Sequence, residues 1–554
     1  MKFSKINFLI IFTITLISKL AISQTFNEIL SRPSNNSITM SILFDQSTEV
    51  YWEYGLTSGT YTANTPTYNA DTNSALMVDF ANLQSNKKYY YRTRYRASDS
   101  TSAFLAGTEH TFRTARTSGN TFTFAIEADP HLDTNSLLSS YTLTLQNILS
   151  KNPDFLIDLG DIFMSEKLPV INQTEISNRH KLYRPLFGAI CHSVPLYLVL
   201  GNHEGELGWR LNNTDTCLPV MASKIRKTFY ANPLPSTFYT GDSIPENFVG
   251  LRQNYYAWEW GNALFVVLDP FWYTITKPDW GWTLGLAQYN WFKNVLTNSQ
   301  AKFKFVFCHN LVGGKGNDAR GGSEYADFFE MGGNNADSIW GFDFSRLGWQ
   351  KPIHTLMREN NVNVFFHGHD HFYGKQDKDG IVYQEVPQPS NKNITNISAA
   401  LYGYVDGVLL PGRGYLLVTV TDTSVKVDYI KTYLPNEETG GHSNQEMGAT
   451  YTIFSTSTGI EIATPSTLKL EQNYPNPFNN ETTIKYEIPS KNNVTIKVFD
   501  IFGREKATLL DKEQHVGKHS INLDANKLSL SSGIYYCKLS IGKESKSIKI
   551  ICIK

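Results

Sequence analysis

The sequence predicts a multidomain protein, a central α/β/β/α sandwich flanked by an N-terminal β-sandwich and a small C-terminal β-sandwich. Three observations carry this. At 554 residues the chain is too long for one ordinary core, so about three domains are expected. Residues 120–434 alternate apolar strand-type runs with segments of helical period, as a layered α/β domain requires. On either side, residues 28–116 and 467–554 hold only short alternating strands broken by turn residues.

Composition narrows the class. Hydrophobic content of 41% fits soluble globular domains, and a net charge of −1 lacks the basic footprint of a nucleic-acid-binding surface. Aromatic content of 13%, weighted to Tyr and Phe, favours strands. Residues 1–23 read as a signal peptide: Lys2 and Lys5 precede an apolar run over 6–17, too short to span a bilayer, and Ala21-Ile22-Ser23 offers a cleavage site before Gln24. No later segment is long and apolar enough to be a transmembrane helix. The cysteines (Cys191, Cys217, Cys308, Cys537, Cys552) are too few for a disulfide framework, although one bridge is allowed.

In chain order, residues 38–44, 49–54, 75–80 and 89–95 alternate as strands, and 83–89 is similar to the turn before a tyrosine corner. This segment resembles a fibronectin type III-like module, such as precedes the catalytic part of purple acid phosphatases, which implies support rather than chemistry. In the central domain, residues 255–269 predict two strands turning at Gly261-Asn262, 288–296 a helix, and 412–421 with 424–430 a closing pair of strands. Residues 435–466, polar and rich in Gly, Ser, Thr and Glu, read as a linker. Beyond them 482–488, 493–500, 533–539 and 547–554 alternate again.

The chemistry sits where buried strands stop. The apolar run 195–200 ends at Gly201-Asn202-His203-Glu204. Run 122–128 ends at Asp129-Pro130-His131, 155–160 at Asp161, 303–308 at His309, and 362–368 at His369-Asp370-His371. Sites of open α/β sheets lie outside the carboxyl ends of such strands. One such run is explained by packing; the recurrence is not. Asp129, His131, Asp161, Asn202, His309, His369 and His371 together mix imidazole with oxygen donors, which suits Zn, Mn or Fe. They exceed one tetrahedral site. Two ions sharing a carboxylate, roughly 3.5–4 Å apart, would use them all.

These blocks resemble the calcineurin-like metallophosphoesterase signature D-x-H, G-D, G-N-H-E, H and G-H-x-H, all present and in order. The resemblance implies one ion on Asp129, His131, Asp161 and His371 and a second on Asp161, Asn202, His309 and His369, with Asp161 bridging. It implies hydrolysis of a phosphoester by a water activated between the ions, and His203, which is not needed as a ligand, is the candidate general acid. Purple acid phosphatases place an iron-binding tyrosine three residues after the bridging Asp; here that residue is Met164, and His131 adds an imidazole that they lack, so tyrosinate colour is not expected. His367 and Glu204 read as supporting residues, Asp158 and Asp269 as structural, and His110, His180 and His442 as surface residues. In the glycine-rich stretch 313–322, Lys315 or Arg320 could bind phosphate and Tyr325 could stack on a leaving group; an ordinary solvated loop is an equal reading.

At the C-terminus Asn473-Tyr-Pro-Asn-Pro-Phe478, Phe499-Asp-Ile-Phe-Gly-Arg504 and Ser532-Gly-Ile-Tyr-Tyr536, with a basic final strand, resemble the type IX secretion C-terminal sorting domain. That implies a protein of the Bacteroidetes carried across the outer membrane by this machinery. The whole chain thus reads as a secreted or surface-attached phosphomonoesterase. A phosphodiesterase or nucleotidase with the same ions, or a display protein with a retired site, are the alternatives.

Overall fold

The computed structural model describes residues 25–133, 136–455, 468–488, 492–514, 517–542 and 544–554. The expected signal peptide and most of the second half of the expected linker lie outside them. Among the described residues no helix is long and apolar enough to cross a membrane. The chain divides into two units, residues 1–455 and 456–554.

Alternation builds the large unit. Along the strand Phe122–Glu127, Phe124 and Ile126 point into one core while Ala125 points into another. The first core lies between two sheets and gathers Phe155, Ile157, Trp258, Phe265, Phe305 and Phe366 from both. The outer face of one sheet is covered by helices Leu138–Lys151, Gln173–Cys191 and Leu218–Phe229, that of the other by Leu286–Asn298 and Ile353–Glu359. The result is helix, sheet, sheet, helix, the predicted layering. Phe122–Glu127, Leu156–Asp158 and Leu196–Leu198 are mutually parallel, and Phe303–Phe307 is parallel to Val364–His367. The hairpin Tyr256–Trp260/Ala263–Val267 turns at the expected Gly261-Asn262.

Residues 26–113 form two sheets around Leu30, Ile42, Trp52, Phe80 and Tyr91. The Tyr89 hydroxyl accepts from the Gln84 N–H at 2.8 Å, pinning the turn before its strand. One of these sheets is continuous with the central one: Phe26–Ser31 runs parallel to Leu196–Leu198 through Ser31 and Leu196.

Two expectations are corrected. Residues 447–454 are not linker but the strand Met447–Phe454, antiparallel to Ser424–Lys431 at the edge of the nine-stranded sheet. An edge strand covered on one side only keeps polar residues, which hid it. His180 is not a surface residue, and His110 is half-buried. His180 occupies the inward face of helix Gln173–Cys191 among Phe163, Phe229 and Tyr230, where burial pushes its imidazole down to about 3. His110 stacks on His192 with ring centroids 3.8 Å apart. All five cysteines are buried and free.

In the second unit, strands Lys469–Leu470, Glu481–Ile488 and Gly517–Asp524 make one sheet, and Asn492–Asp500, Glu505–Gln514, Gly533–Ile541 and Glu544–Cys552 another. Ile484, Tyr486, Val494, Ile496, Cys537 and Ile550 are among the buried side chains of its core.

Candidate metal centre

The loops leaving the parallel strands converge, and their turns are tight. Asp129, His131, Asp161, His369 and His371 all have left-handed backbone, with φ between 44° and 81°. L-residues avoid this region, and such strain clusters at functional sites. The geometry also explains two motif glycines. A Cβ on Gly201 would lie 2.2 Å from Asp161 Oδ1, and one on Gly368 2.5 Å from Asp129 Oδ2. These two carboxylates pack directly on bare backbone.

Each carboxylate is tethered by one oxygen and free at the other. The His203 N–H donates to Asp161 Oδ1 and the His369 N–H to Asp129 Oδ2, both at 2.7 Å. Asp129 Oδ1, Asp161 Oδ2 and Asn202 Oδ1 are buried and accept no hydrogen bond. Unpaired buried oxygens are costly, so they call for a partner. Imidazoles face them: His371 Nε2 is 3.3 Å and His131 Nε2 3.5 Å from Asp129 Oδ1, while His309 Nε2 is 3.1 Å from Asp161 Oδ2.

The tautomers complete the test. His309 Nδ1 lies 2.9 Å from the Leu159 carbonyl and His369 Nε2 2.7 Å from the Asp318 carbonyl. A carbonyl only accepts, so both nitrogens donate, and the lone pairs of the neutral rings, His309 Nε2 and His369 Nδ1, face each other at 3.2 Å. A cation between them removes that repulsion. Burial opposes protonation of His309, but Asp161 and Asp129 raise its pKa to about 10, a measure of how strongly these carboxylates favour positive charge at this place. The ligand atoms of Asp129, Asp161, His309 and His369, of Asp129, His131 and His371, and of His131, Asp161 and His203 lie within 4.8 Å of one another in each group. The residues fit metal ions. Every predicted His and Asp ligand is brought together, and Asn202 follows Gly201 on the same turn.

The supporting residues have definite tasks. Glu204 accepts from the N–H groups of Gly201, Asp161 and Ile162, tying the turn at Gly201 to the turn at Asp161. Glu385 does the same for Asp370 and His371 and lies 2.8 Å from His367 Nδ1. Asp158 accepts from the Gly160 N–H, and Asp269 from Arg252, Asn254 and the Phe271 N–H. Sequence reasoning missed Glu166, whose Oε1 is 2.5 Å from His203 Nδ1, while His203 Nε2 points to Asp161 Oδ2 at 3.9 Å. Glu166 lies five residues past Asp161 on the short turn Ser165–Lys167, where no periodicity singles it out.

Beyond His203 the loop is anchored by Glu206, which is buried and accepts from Arg226 at 2.6 Å and Arg252 at 2.8 Å. Burial opposes its ionisation, but the two guanidinium groups hold it down to about 2, from an ordinary 4.5. Its contribution to stability is therefore full above the unfolded value and is lost as pH falls toward 2. Glu206→Ala would leave the buried Arg226 without its carboxylate and Arg252 with Asp269 alone; a loss of about 3–5 kcal/mol in urea unfolding is expected.

The stretch 313–322 is not a free loop. Lys315 Nζ donates to the Leu401 carbonyl, and Arg320 Nη1 to the His369 carbonyl at 2.7 Å and to Asp370 at 2.9 Å, with its guanidinium 4.4 Å from the centre of the Tyr402 ring. Tyr325 packs near Phe328. Both cations are thus engaged within the chain, and Arg320 braces the His369 segment. Arg320→Ala is expected to weaken metal binding about 10–100-fold, as loss of a ligand's support does, read by metal titration.

Residues 122–373 match the calcineurin-like phosphoesterase family, and residues 472–554 match the secretion system C-terminal sorting domain. No curated protein matches the chain. The structure of PhoD is 16% identical, with 78% of this chain and 90% of that chain covered and a TM-score of 0.56. A purple acid phosphatase isolated from yellow lupin (Lupinus luteus) seeds is 14% identical, with 77% and 74% covered and a TM-score of 0.51. At such identities the likeness is one of fold.

Proposed function

From a chain whose residues 122–373 are a calcineurin-like phosphoesterase domain and whose residues 472–554 are a secretion sorting domain, we propose a secreted or outer-membrane-attached enzyme that hydrolyses phosphate monoesters. The observation that carries the reading is the convergence of unpaired carboxylate oxygens on imidazole nitrogens in a buried site. Asp129, His131, Asp161 and His371 would hold one ion and Asp161, Asn202, His309 and His369 the other, as Fe, Zn or Mn. Bound there, the ions supply the positive charge that neutralises phosphoryl oxygens and acidifies water.

The chain supplies the rest. His203 donates a proton to the departing oxygen through Nε2, while Glu166 holds its Nδ1–H. Burial disfavours the imidazolium, but Asp161 and Glu166 outweigh it and raise the pKa of His203, keeping the acid form available. The type IX machinery that recognises the C-terminal domain is the expected export partner. The test is metal analysis combined with a panel of aryl phosphate mono- and diesters. Two ions per chain with faster monoester turnover is the expected result. Faster diester turnover would make the enzyme a phosphodiesterase, and fewer than two ions with no hydrolysis would leave a display protein.

A further inference from the structure

Lys277 stands at the edge of this centre in an unusual state. Its ammonium lies 4.3 Å from the centre of the Trp209 ring and 5.3 Å from that of Trp282, and those rings meet edge-on at 5.7 Å. Aromatic faces fix the position of a cation without consuming its N–H donors. Among the described residues Nζ makes no hydrogen bond, and its carboxylate neighbour is Asp318 at 3.9 Å, whose side chain is 68% exposed. A contact that long and that wet is weak. Lys227 and Lys304 behave differently: Lys227 donates to the Val249 and Leu251 carbonyls, and Lys304 to the Leu296 carbonyl.

The location gives the free donors a meaning. Trp209 lies six residues past His203, on the loop that carries the candidate general acid. Asp318 carries the carbonyl that accepts from His369 Nε2. Lys277 therefore touches the loop that follows the candidate proton donor, through Trp209, and the residue that accepts from His369, through Asp318. His203 is proposed to protonate the departing oxygen, so the group attached to that oxygen lies on the side of His203 and its loop.

We propose that Lys277, fixed by Trp209 and Trp282, binds a second anionic group on the leaving group, so that the preferred substrates are phosphoesters whose leaving group itself carries a phosphate. This rests on the phosphoesterase reading and deepens it. The anion would displace the Asp318 carboxylate and take the unused N–H groups as charge-assisted hydrogen bonds.

The test compares hydroquinone bisphosphate with phenyl phosphate. Wild type is expected to favour the bisphosphate in kcat/KM. In Lys277→Met that preference should fall roughly 10–100-fold, the worth of a charged hydrogen bond. In Asp318→Asn, which removes the internal competitor and keeps the backbone carbonyl, it should rise. A purely structural lysine would not move the ratio in opposite directions in the two variants. An unchanged ratio in Lys277→Met overturns the proposal. Calorimetry with 1,4-phenylenediphosphonate and phenylphosphonate, which keep the same ring between the anions, separates it from the enzyme reading, since neither is hydrolysed. If wild type turns over neither ester, the phosphoesterase reading fails, yet a diphosphonate preference that vanishes in Lys277→Met still supports the subsite. Equal binding by both proteins sinks it.

Discussion

Asp161→Asn is expected to lower phosphoester turnover by on the order of 10⁴-fold, the rate equivalent of several kcal/mol of lost charge stabilisation. The substitution isolates charge. The amide oxygen can still accept from the His203 N–H, as Oδ1 does at 2.7 Å, so the turn keeps its tether. What disappears is the unpaired Oδ2 lying 3.1 Å from His309 and 3.6 Å from His131, one imidazole from each proposed ion site. Elemental analysis should find fewer than two ions per chain, with thermal unfolding little changed. Full occupancy with normal turnover would contradict the shared role of Asp161.

His203→Ala is expected to cost about 10²–10⁴-fold with an alkyl phosphate, the range of general acid catalysis, and much less with a p-nitrophenyl ester, whose leaving group needs no proton. Equal losses on both would exclude His203 as the acid. Glu166→Gln should act through the same proton. Glu166 helps to raise the pKa of His203, so its removal lowers that pKa and the acid form disappears at lower pH. The alkaline limb of the kcat profile should therefore move toward lower pH. A metal-binding role for Glu166 would change metal content instead, leaving the limb in place.

These residues also show what one dimension can hold. The strand runs ending in Asp129, Asp161, Asn202, His309 and His369 were legible because a buried parallel strand must be apolar on both faces, and a polar cluster at its end then stands out. The helix over 288–296 and the hairpin at Gly261-Asn262 were legible through periodicity for the same local reason. Glu166, Glu385 and Lys277 were not: each acts through a partner on a distant segment, and nothing in their own neighbourhood is periodic. The strand Met447–Phe454 was hidden because half-exposed edge residues keep loop-like composition.

The sequence by itself determined the layers, the types of the clustered donor side chains and the order in which they arrive, because burial period and donor chemistry are local properties of short segments. Only the tertiary structure decided which oxygens remain unpaired, which imidazole nitrogen faces the centre and which cation keeps its donors free. Those depend on hydrogen bonds between segments far apart in the chain, such as Leu159 to His309 and Asp318 to His369, that no local pattern encodes.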